Sequence, residues 1–251
     1  MTYFEYQRRV CRDVILPWLA VRLVLRGLRV GDFGAHQGGM LDALRESGLV
    51  DRALGFEVGE EIVASSPFVS DGRFRLECRD ILDVAPEGAL FDLVLMHDVL
   101  EHVPNYGDAL DAVRRTLGES GHAFVSFPPY HSAFGGHQQL ARGMARSIPF
   151  VHLLPARLFF RLAQPGETEY MSASDAWEDM TSVRRTRLSL SRAERAFARC
   201  GLRVVDRDLF VVRPEYTVRY GLRARRAKGV GRLAGVREVL VNGAFYLLRP
   251  E

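Results

Sequence analysis

The first half of the chain alternates between short apolar runs and segments whose apolar residues recur at helical spacing. The apolar runs predict strands at Leu28–Phe33, Arg52–Val58, Phe74–Cys78, Phe91–Met96 and His122–Phe127. The segments between them predict helices at Met40–Ser47, Glu60–Ser66 and Tyr106–Leu117. Strands and helices that alternate in this way form a mostly parallel sheet with right-handed crossovers. We therefore predict an α/β fold with helices on both faces of the sheet.

This alternation breaks after residue 129 and resumes near residue 187. The intervening segment, about 131–187, carries glycines, prolines and a very apolar stretch, Ile148–Leu162. We expect a helical lid insertion after the fifth strand. In it, this stretch closes over the cleft or forms the wall of an apolar substrate pocket, to which Met171 and Trp177 add. A subunit interface and a membrane-surface helix are the alternatives for the same stretch.

The pattern after the insertion completes the sheet. A helix is predicted at Ser191–Cys200, with Ser191 as its N-cap and Glu194 at the capping-box position. Two further strands are predicted at Leu202–Val212 and Val239–Leu248. The sheet then has seven strands and belongs to a single domain that spans residues 1–251.

The N-terminal segment 1–27 is predicted to be helical. Its apolar run Val14–Leu25 contains Pro17 and Arg22. The run is about twelve residues long, whereas a membrane-spanning helix needs roughly twenty apolar residues. We therefore expect a packed or lid helix and no membrane span. Met1 is not followed by the regions of a secretory leader, so the expected location is cytoplasmic.

Composition excludes several kinds of chemistry. The net charge of +3 gives no global bias toward nucleic acid, and Lys228 is the only lysine, so lysine chemistry has a single candidate. Cys11, Cys78 and Cys200 show no CxxC spacing, which argues against a disulfide framework and against a zinc knuckle. The segment 219–237 carries seven basic residues and no acid, and we interpret it as a solvated helical face.

A glycine-containing loop, RVGDFGAHQGG (Arg29–Gly39), follows the first strand and precedes a helix. A phosphate-binding loop would need a lysine and a hydroxyl where Met40 and Leu41 stand. A dinucleotide fingerprint would need GxGxxG, which these glycines do not supply. The pattern that remains is an acid followed by spaced glycines, in DFGAHQG.

This loop resembles the first motif of the class I S-adenosylmethionine-dependent methyltransferases, D/E-x-G-x-G-x-G, with His36 in place of the middle glycine. Glu57 ends the second strand and Asp80 follows the third, where the family keeps acids for the ribose and near the adenine amine. The segment FDLVLMHDVLEHVPN, Phe91–Asn105, is similar to the family's fourth-strand segment. The resemblance covers about residues 28–127. It implies a Rossmann-like class I methyltransferase fold with S-adenosyl-L-methionine as cofactor.

The chemistry of this cofactor agrees with those positions. Its carboxylate can meet the positive end of the helix that starts near Gly38, and Glu57 can accept from both ribose hydroxyls. Ligands of a parallel sheet bind at the carboxyl ends of its strands. The residues that we assign to the cofactor are Asp32, Gly34, Ala35, His36, Gly38, Glu57, Val58, Asp80, Ile81, His97 and Asp98.

The segment His97–His102 reads H-D-V-L-E-H and contains four residues of metal-ligating types. This order is neither HExxH nor HxxEH. No third ligand or supporting partner is visible in the sequence, so we expect no metal here. We expect Asp98 to line the cleft, and Glu101 and His102 to be structural or cleft-edge groups.

The fifth strand ends in FPPYHSAFGGHQQ, at the mouth of the predicted cleft. We assign Tyr130, His131, His137 and Gln138 to the substrate. His137 or His131 is the expected general base, because histidine titrates near neutral pH.

The predicted function is methyl transfer to a small, partly apolar molecule, as in small-molecule or natural-product biosynthesis. Oxygen is favoured over nitrogen or carbon as the acceptor. The alternatives are a non-methylating reaction such as a cyclisation, and a non-catalytic binding protein. The expected partner is a small-molecule substrate and not a nucleic acid, with a homodimer if the apolar stretch is a subunit interface.

Overall fold

The computed structural model describes residues 1–84, 90–167 and 172–251. These residues form an eight-stranded sheet in the order β3-β2-β1-β4-β5-β8-β6-β7. The strands are β1 Arg29–Phe33, β2 Arg52–Glu57, β3 Phe74–Cys78, β4 Phe91–His97, β5 Leu117–Phe127, β6 Leu202–Val212, β7 Arg225–Arg226 and β8 Gly243–Pro250. The pairs among β1 to β5 are parallel, and β8 joins β5 and β6 in antiparallel pairs. The predicted α/β class and mostly parallel sheet are confirmed.

Ten α-helices flank the sheet in the described ranges. They are α1 Tyr3–Val10, α2 Leu16–Ala20, α3 Gly39–Ser47, α4 Glu60–Ala64, α5 Tyr106–Thr116, α6 Ala156–Leu162, α7 Ala173–Thr186, α8 Leu190–Arg199, α9 Glu215–Tyr220 and α10 Ala234–Leu240. No helix within the described part of the chain is both long enough and apolar enough to cross a membrane.

The sheet has one apolar core on each face. One core joins Phe33 and Phe56 to Leu110 of α5 and Phe197 of α8. The other core packs α3 and the N-terminal helix against strand residues such as Phe124. Burial on both faces explains why β4 is an unbroken apolar run. Because the first four strands are parallel, their carboxyl ends lie together at one edge of the sheet.

The N-terminal segment is a continuous helix over residues 3–20, because a π-helical turn, Cys11–Ile15, joins α1 to α2. Its buried side chains pack in the same core as α3. The indole N–H of Trp18 donates to Asp208 of β6 over 2.8 Å. α1 also approaches the glycine loop closely: a Cβ added at Gly39 would lie 2.4 Å from the carbonyl oxygen of Phe4. The helix therefore forms one wall beside that loop.

The predicted number of strands, seven, is one too few. The additional strand, β7, has two residues and lies at the edge of the sheet beside β6. The last strand also starts at Gly243 and not at the predicted Val239, because Ala234–Leu240 is helical.

The basic segment 219–237 is not the single helical face that the sequence predicts. It contains the end of α9, the short strand β7 and a loop before α10 begins. Ion pairs neutralise part of its charge, since Arg226 lies 2.9 Å from Asp208 and Arg237 lies 2.5 Å from Glu194.

The start of α8 differs from the prediction by two residues. The N-cap is Ser189, whose hydroxyl accepts from the backbone N–H of Arg192 over 3.3 Å. Ser191, the predicted cap, instead donates its backbone N–H to Glu238 over 2.8 Å. The capping-box position of Glu194 is also wrong, because its carboxylate binds Arg237 and other groups on the sheet side.

The insertion contains α6, α7 and an apolar core of its own. That core includes Ala141, Val151, Phe159 and Met180. The stretch Ile148–Leu162 contributes to this core and lines neither of the cavities described below. Its solvent-facing side chains include Ile148, Phe150, Leu153, Leu158 and Leu162.

Two further side chains were predicted to add to the substrate pocket. Trp177 is 43% exposed, and its ring lies 4.3 Å from that of Phe160 at the centroids, outside both cavities. Met171 lies outside the described residues.

Candidate active site

The glycine loop leaves β1 in a tight backbone path. Gly34 and Gly38 have φ values of 81° and 79°, in the region that favours glycine, and His36 adopts a φ of 49°. A Cβ at Gly34 would lie 2.4 Å from Cγ2 of Val99, so a side chain cannot be accommodated there without movement. The His36 ring packs edge-on against Tyr3 of α1 at 4.5 Å. Histidine thus occupies the middle glycine position by turning its ring toward the N-terminal helix.

Glu57 ties the end of β2 to this loop. One carboxylate oxygen accepts from the backbone N–H of His36 over 2.9 Å. The other accepts from the backbone N–H groups of Val58 and Gly59 over 2.9 and 3.0 Å. A carboxylate has about four lone-pair positions. The three bonds therefore fix the orientation of Glu57 and leave it capacity to accept from a ligand.

A cavity of about 450 Å³ opens between this loop, the ends of β2, β3 and β4, and α1. Tyr3 and Gln7 line it from α1. Eight of the eleven residues assigned to the cofactor line it as well: Gly34, His36, Glu57, Val58, Asp80, Ile81, His97 and Asp98. The carboxylate of Asp80 accepts the backbone N–H of Leu82 over 2.9 Å and caps a short helical turn at the rim.

The other three assigned residues lie in or under the loop. Ala35 is buried, and Gly38 precedes α3. Asp32 is 1% exposed, and its Oδ2 atom has no hydrogen-bond partner among the described residues. Burial, reinforced by Glu57, raises the pKa of Asp32 to about 7. A buried carboxyl oxygen without a donor is suited to a cationic ligand group.

A smaller cavity of about 100 Å³ adjoins the first. Tyr3, Asp98, His102 and Asp179 line both cavities, so the two adjoin at these side chains. The smaller cavity adds His137 from the insertion, together with Arg213, which directly follows β6. Its apolar lining includes Pro128, Phe134 and Leu140.

Asp98 stands at the junction of the two cavities with a φ of 53°. Both of its carboxylate oxygens accept from Arg213 Nη2, over 2.7 and 2.6 Å. Arg213 also donates to Glu215 over 2.8 Å. Burial acts to raise the pKa of Asp98, but Arg213 and His97 outweigh it and hold that pKa below its usual value. The acid is therefore a fixed anion that is paired with a buried guanidinium.

Glu101, His102 and His137 meet on the other side of the junction. Glu101 is 1% exposed, and neither of its carboxylate oxygens has a hydrogen-bond partner in the described ranges. Its Oε1 atom lies 3.8 Å from His102 Nε2 and 3.9 Å from His137 Nε2. Burial and then Asp98 raise the pKa of Glu101 well above its ordinary value.

Each histidine is oriented through its Nδ1 atom. Nδ1 of His137 lies 2.5 Å from the carboxylate of Asp179 on α7. Nδ1 of His102 lies 2.8 Å from the hydroxyl of Ser182, one turn further along α7. Both Nε2 atoms consequently face Glu101.

Of the four predicted substrate residues, His137 lines the smaller cavity, and the other three line neither of the two cavities described here. His131 is exposed, with its ring against Tyr130. Tyr130 is buried and its hydroxyl donates to the carbonyl of His152 over 3.3 Å, while the amide of Gln138 donates to the carbonyl of Ala133 over 2.8 Å. In this structure Tyr130 and Gln138 bind backbone carbonyl groups of the insertion, and His131 faces solvent.

Several site residues were missed by the sequence analysis. Arg213 follows the end of β6 and could have been found by the rule that locates Asp98, since both come directly after strands. Tyr3 and Gln7 are one turn apart on α1, on a face with polar groups that turns inward. Asp179 belongs to no recognisable motif, and no signal in the sequence pairs it with His137.

A family model described as a methyltransferase domain matches residues 3–205. No curated protein matches the chain. Among solved structures, the chain is similar to the plantazolicin methyltransferase BpumL in complex with a monoazolic analogue and SAH, with 12% identity, 99% of this chain and 86% of that chain covered, and a TM-score of 0.60.

Two further solved structures are similar to the chain, with comparable TM-scores. One comes from the complex between the Haloferax volcanii Trm112 methyltransferase activator and a methyltransferase, with 15% identity, 98% and 91% coverage, and a TM-score of 0.58. The other is an S-adenosylmethionine-dependent methyltransferase from Mesorhizobium loti, with 15% identity, 94% and 99% coverage, and a TM-score of 0.56. These likenesses support the fold. Since the family model spans most of the chain, the protein belongs to the family of class I S-adenosylmethionine-dependent methyltransferases.

Proposed function

We propose that the protein transfers the methyl group of S-adenosylmethionine to a hydroxyl oxygen of a small, partly apolar molecule. When bound, the cofactor would supply an activated methyl group: a lone pair of the acceptor oxygen forms the new C–O bond, the C–S bond breaks with its electron pair on sulfur, and the hydroxyl proton is released to water. The observation that carries the proposal is that the two cavities adjoin and share Asp98 and His102 in their walls.

The larger cavity fits the cofactor by its donors and acceptors. Glu57 is held so that it can accept from the ribose hydroxyls, and Asp80 at the rim can accept from the adenine amine. Asp32 and the first residues of α3 lie beside this cavity and do not line it. We propose that the unpartnered Oδ2 of Asp32 serves the ammonium group, and the first N–H groups of α3 the carboxylate, once the loop has moved to admit the cofactor. These roles require no lysine, in agreement with a chain whose single lysine, Lys228, lies outside this cavity.

The smaller cavity is suited to the acceptor. Its volume admits a small group, and its walls combine Phe134 and Leu140 with His137 and Arg213. Asp179 is an acceptor-only group when ionised, so in the neutral ring of His137 the Nδ1 atom carries the proton and Nε2 carries the lone pair. We propose His137 as the residue through which the acceptor hydroxyl is activated, with Asp179 as its positioning residue.

The test separates binding from chemistry. Calorimetry with S-adenosylmethionine and S-adenosylhomocysteine should show binding by the wild type and at least tenfold weaker binding by Glu57→Gln, because the acceptor for the ribose is weakened. A panel of small hydroxylated molecules is then scanned for stoichiometric S-adenosylhomocysteine release. Failure of the wild type to bind either nucleoside, or unchanged affinity in Glu57→Gln, would contradict the proposal.

The other finer assignments remain predictions. A cyclisation would give product without S-adenosylhomocysteine, and a non-catalytic protein would bind cofactor without turnover, so the same assay distinguishes both from methyl transfer. We propose a cytoplasmic location on the ground that Cys11, Cys78 and Cys200 are all free thiols. We also propose a homodimer formed through the exposed side chains of Ile148–Leu162, and the molecular mass measured by light scattering tests it.

A further inference from the structure

We propose that Glu101, His102 and His137 form a binding site for a divalent first-row transition-metal ion at the junction of the two cavities. The sequence of His97–His102 predicts no metal site, because that segment offers no third ligand. The fold supplies the missing ligand from the insertion, 35 residues beyond His102 in the chain. The proposal extends the proposed function, since the ion would act on the acceptor of that reaction.

The hydrogen-bond pattern leaves three electron-rich atoms facing one another. The hydroxyl of Ser182 donates to the backbone carbonyl of Asp179 over 2.8 Å, so its oxygen accepts from Nδ1–H of His102. Asp179 likewise accepts from Nδ1–H of His137. The neutral forms of both rings therefore direct the Nε2 lone pair toward Glu101.

Oε1 of Glu101 lies 3.8 Å from Nε2 of His102 and 3.9 Å from Nε2 of His137. Both distances exceed hydrogen-bond distance, so no proton is shared between Glu101 and either ring. The candidate ligand atoms of the three residues all lie within 4.8 Å of one another. A point equidistant from atoms at such separations is about 2.2 to 2.5 Å from each, close to the roughly 2.0 to 2.2 Å of Zn–N and Zn–O bonds. A shift of a few tenths of an ångström would complete the coordination.

The charge around the cluster also favours a cation. Four carboxyl groups and two guanidinium groups lie at this junction: Asp98, Glu101, Asp179, Glu215, Arg213 and Arg219. Asp98 and Glu215 are paired with Arg213, whereas Glu101 is buried without a hydrogen-bond partner among the residues described. An unpaired buried carboxylate is costly unless it is neutralised, and a metal ion is one of the groups that neutralise it.

A second group of potential ligands, His97, Asp98 and Glu215, lies nearby. It does not make an equivalent site, because Arg213 already occupies both carboxylates and Nδ1 of His97 is 2.6 Å from the hydroxyl of Ser126. The contrast with Glu101 supports one metal site at the junction.

The donor set identifies the class of ion. Two neutral imidazoles and one carboxylate are suited to Zn²⁺, Fe²⁺ or Mn²⁺, and less to Mg²⁺ or Ca²⁺, which take oxygen ligands. Three protein ligands leave open positions. A hydroxyl of the acceptor bound there would have a lowered pKa, and its proton would pass to water. His137 then activates the acceptor as a ligand of the ion and not as a free base.

The binding test uses the full chain, stripped of metal with a chelator and titrated with Co²⁺ and Zn²⁺ by calorimetry and visible absorption. We expect one ion per chain and a Co²⁺ absorption spectrum of a nitrogen- and oxygen-ligated site. Glu101→Gln and His137→Gln should each bind at least tenfold more weakly. His131→Gln changes an exposed histidine of the same insertion and should bind like the wild type.

The absence of stoichiometric binding by the wild type would overturn the proposal whatever the variants do. Equal affinity in wild type, Glu101→Gln and His137→Gln would overturn it too, and circular dichroism verifies that each variant is folded. Asp179→Asn should weaken binding of the metal ion by about 10- to 100-fold, because the asparagine no longer fixes the orientation of the His137 ring.

The failure of this proposal differs from failure of the proposed function. Calorimetry with S-adenosylhomocysteine on the metal-free chain tests the cofactor site alone. If the nucleoside binds but no ion does, the metal site fails and the cofactor assignment stands. Full methyl-transfer rate in excess chelator would equally exclude a role of the ion.

Discussion

The larger cavity takes most of its lining from the ends of neighbouring parallel strands, whereas the smaller cavity takes its lining from distant parts of the chain. Gly34, Glu57, Asp80 and Asp98 each lie within a few residues of a strand end. The smaller cavity combines residues of α1, of the insertion with its helix α7, and of the segments after β4, β5 and β6. The end that we propose for the cofactor (the cofactor end) is thus built by the sheet, and the end that we propose for the acceptor (the acceptor end) is built largely by the additions to it.

This difference predicts that the two ends can be separated by mutation. The variant with the largest expected effect is His137→Gln, which should lower kcat by roughly 10²- to 10⁴-fold, because acceptor activation is lost. Its affinity for S-adenosylhomocysteine should stay within about threefold of the wild type, since His137 does not line the larger cavity. Turnover and calorimetry are measured on the same preparations.

His131→Gln is the matched control for this variant. The side chain of His131 is exposed and lies outside both cavities, so both quantities should be unchanged. Equal loss of cofactor affinity in His137→Gln would mean that the two ends are not separable.

Arg213 joins the two ends, and its replacement tests the junction itself. Arg213→Met leaves Asp98 and Glu215 without their buried partner, and should lower the free energy of unfolding by about 3 to 5 kcal/mol. Arg225→Met, on the exposed edge strand, should change it by no more than about 0.5 kcal/mol. Urea denaturation gives both values. A loss below about 1 kcal/mol in Arg213→Met would contradict the pairing.

The buried Asp32 at the cofactor end should make the free energy of unfolding depend on pH. Its pKa is raised to about 7 in the folded chain, against about 3.9 in the unfolded one, so the folded state binds more protons in this range. Stability should therefore fall as pH rises from about 4 to 7, by up to about 4 kcal/mol. Asp32→Asn removes this part of the pH dependence while it weakens cofactor binding. Identical pH dependence of unfolding in Asp32→Asn would contradict the assignment.

Gly34 and Gly48 offer the finest comparison. Both have positive φ values, 81° and 62°, but only Gly34 has a neighbour, Val99, that an added Cβ would meet. Gly34→Ala should cost about 2 kcal/mol more stability than Gly48→Ala, whose cost is limited to roughly 1 to 2 kcal/mol of backbone strain. Thermal melting of the two variants provides the values. Equal costs would show that Val99 moves aside freely.

The same contrast explains how far the sequence could predict the molecule. Local patterns were sufficient for β1 to β6, because apolar runs and helical spacing are properties of short segments. They also predicted that Gly34, Glu57, Asp80 and Asp98 meet at one cavity, since a parallel sheet brings its strand ends to one edge. The edge strand β7 was missed because its two arginines carry no apolar pattern.

The acceptor end was predicted poorly for a physical reason. The pairing of His137 with Asp179 joins residues 42 positions apart through the packing of the insertion, which no spacing encodes. Tyr130 and Gln138 have the chemistry of substrate contacts, but their partners are carbonyl groups within the insertion. The apolar stretch Ile148–Leu162 buries side chains such as Val151 and Phe159 in a core within the insertion, and its apolar pattern does not specify which surface it packs against.

A crystal structure of the chain with S-adenosylhomocysteine tests the central claim most directly, namely that the strand ends hold the cofactor and direct its sulfur toward the smaller cavity. We predict ribose oxygens within hydrogen-bond distance of Glu57, the amino-acid end near Asp32 and α3, and the sulfur beside Asp98 and His102. A ligand bound away from Glu57, or with its sulfur turned from His137, would contradict the account.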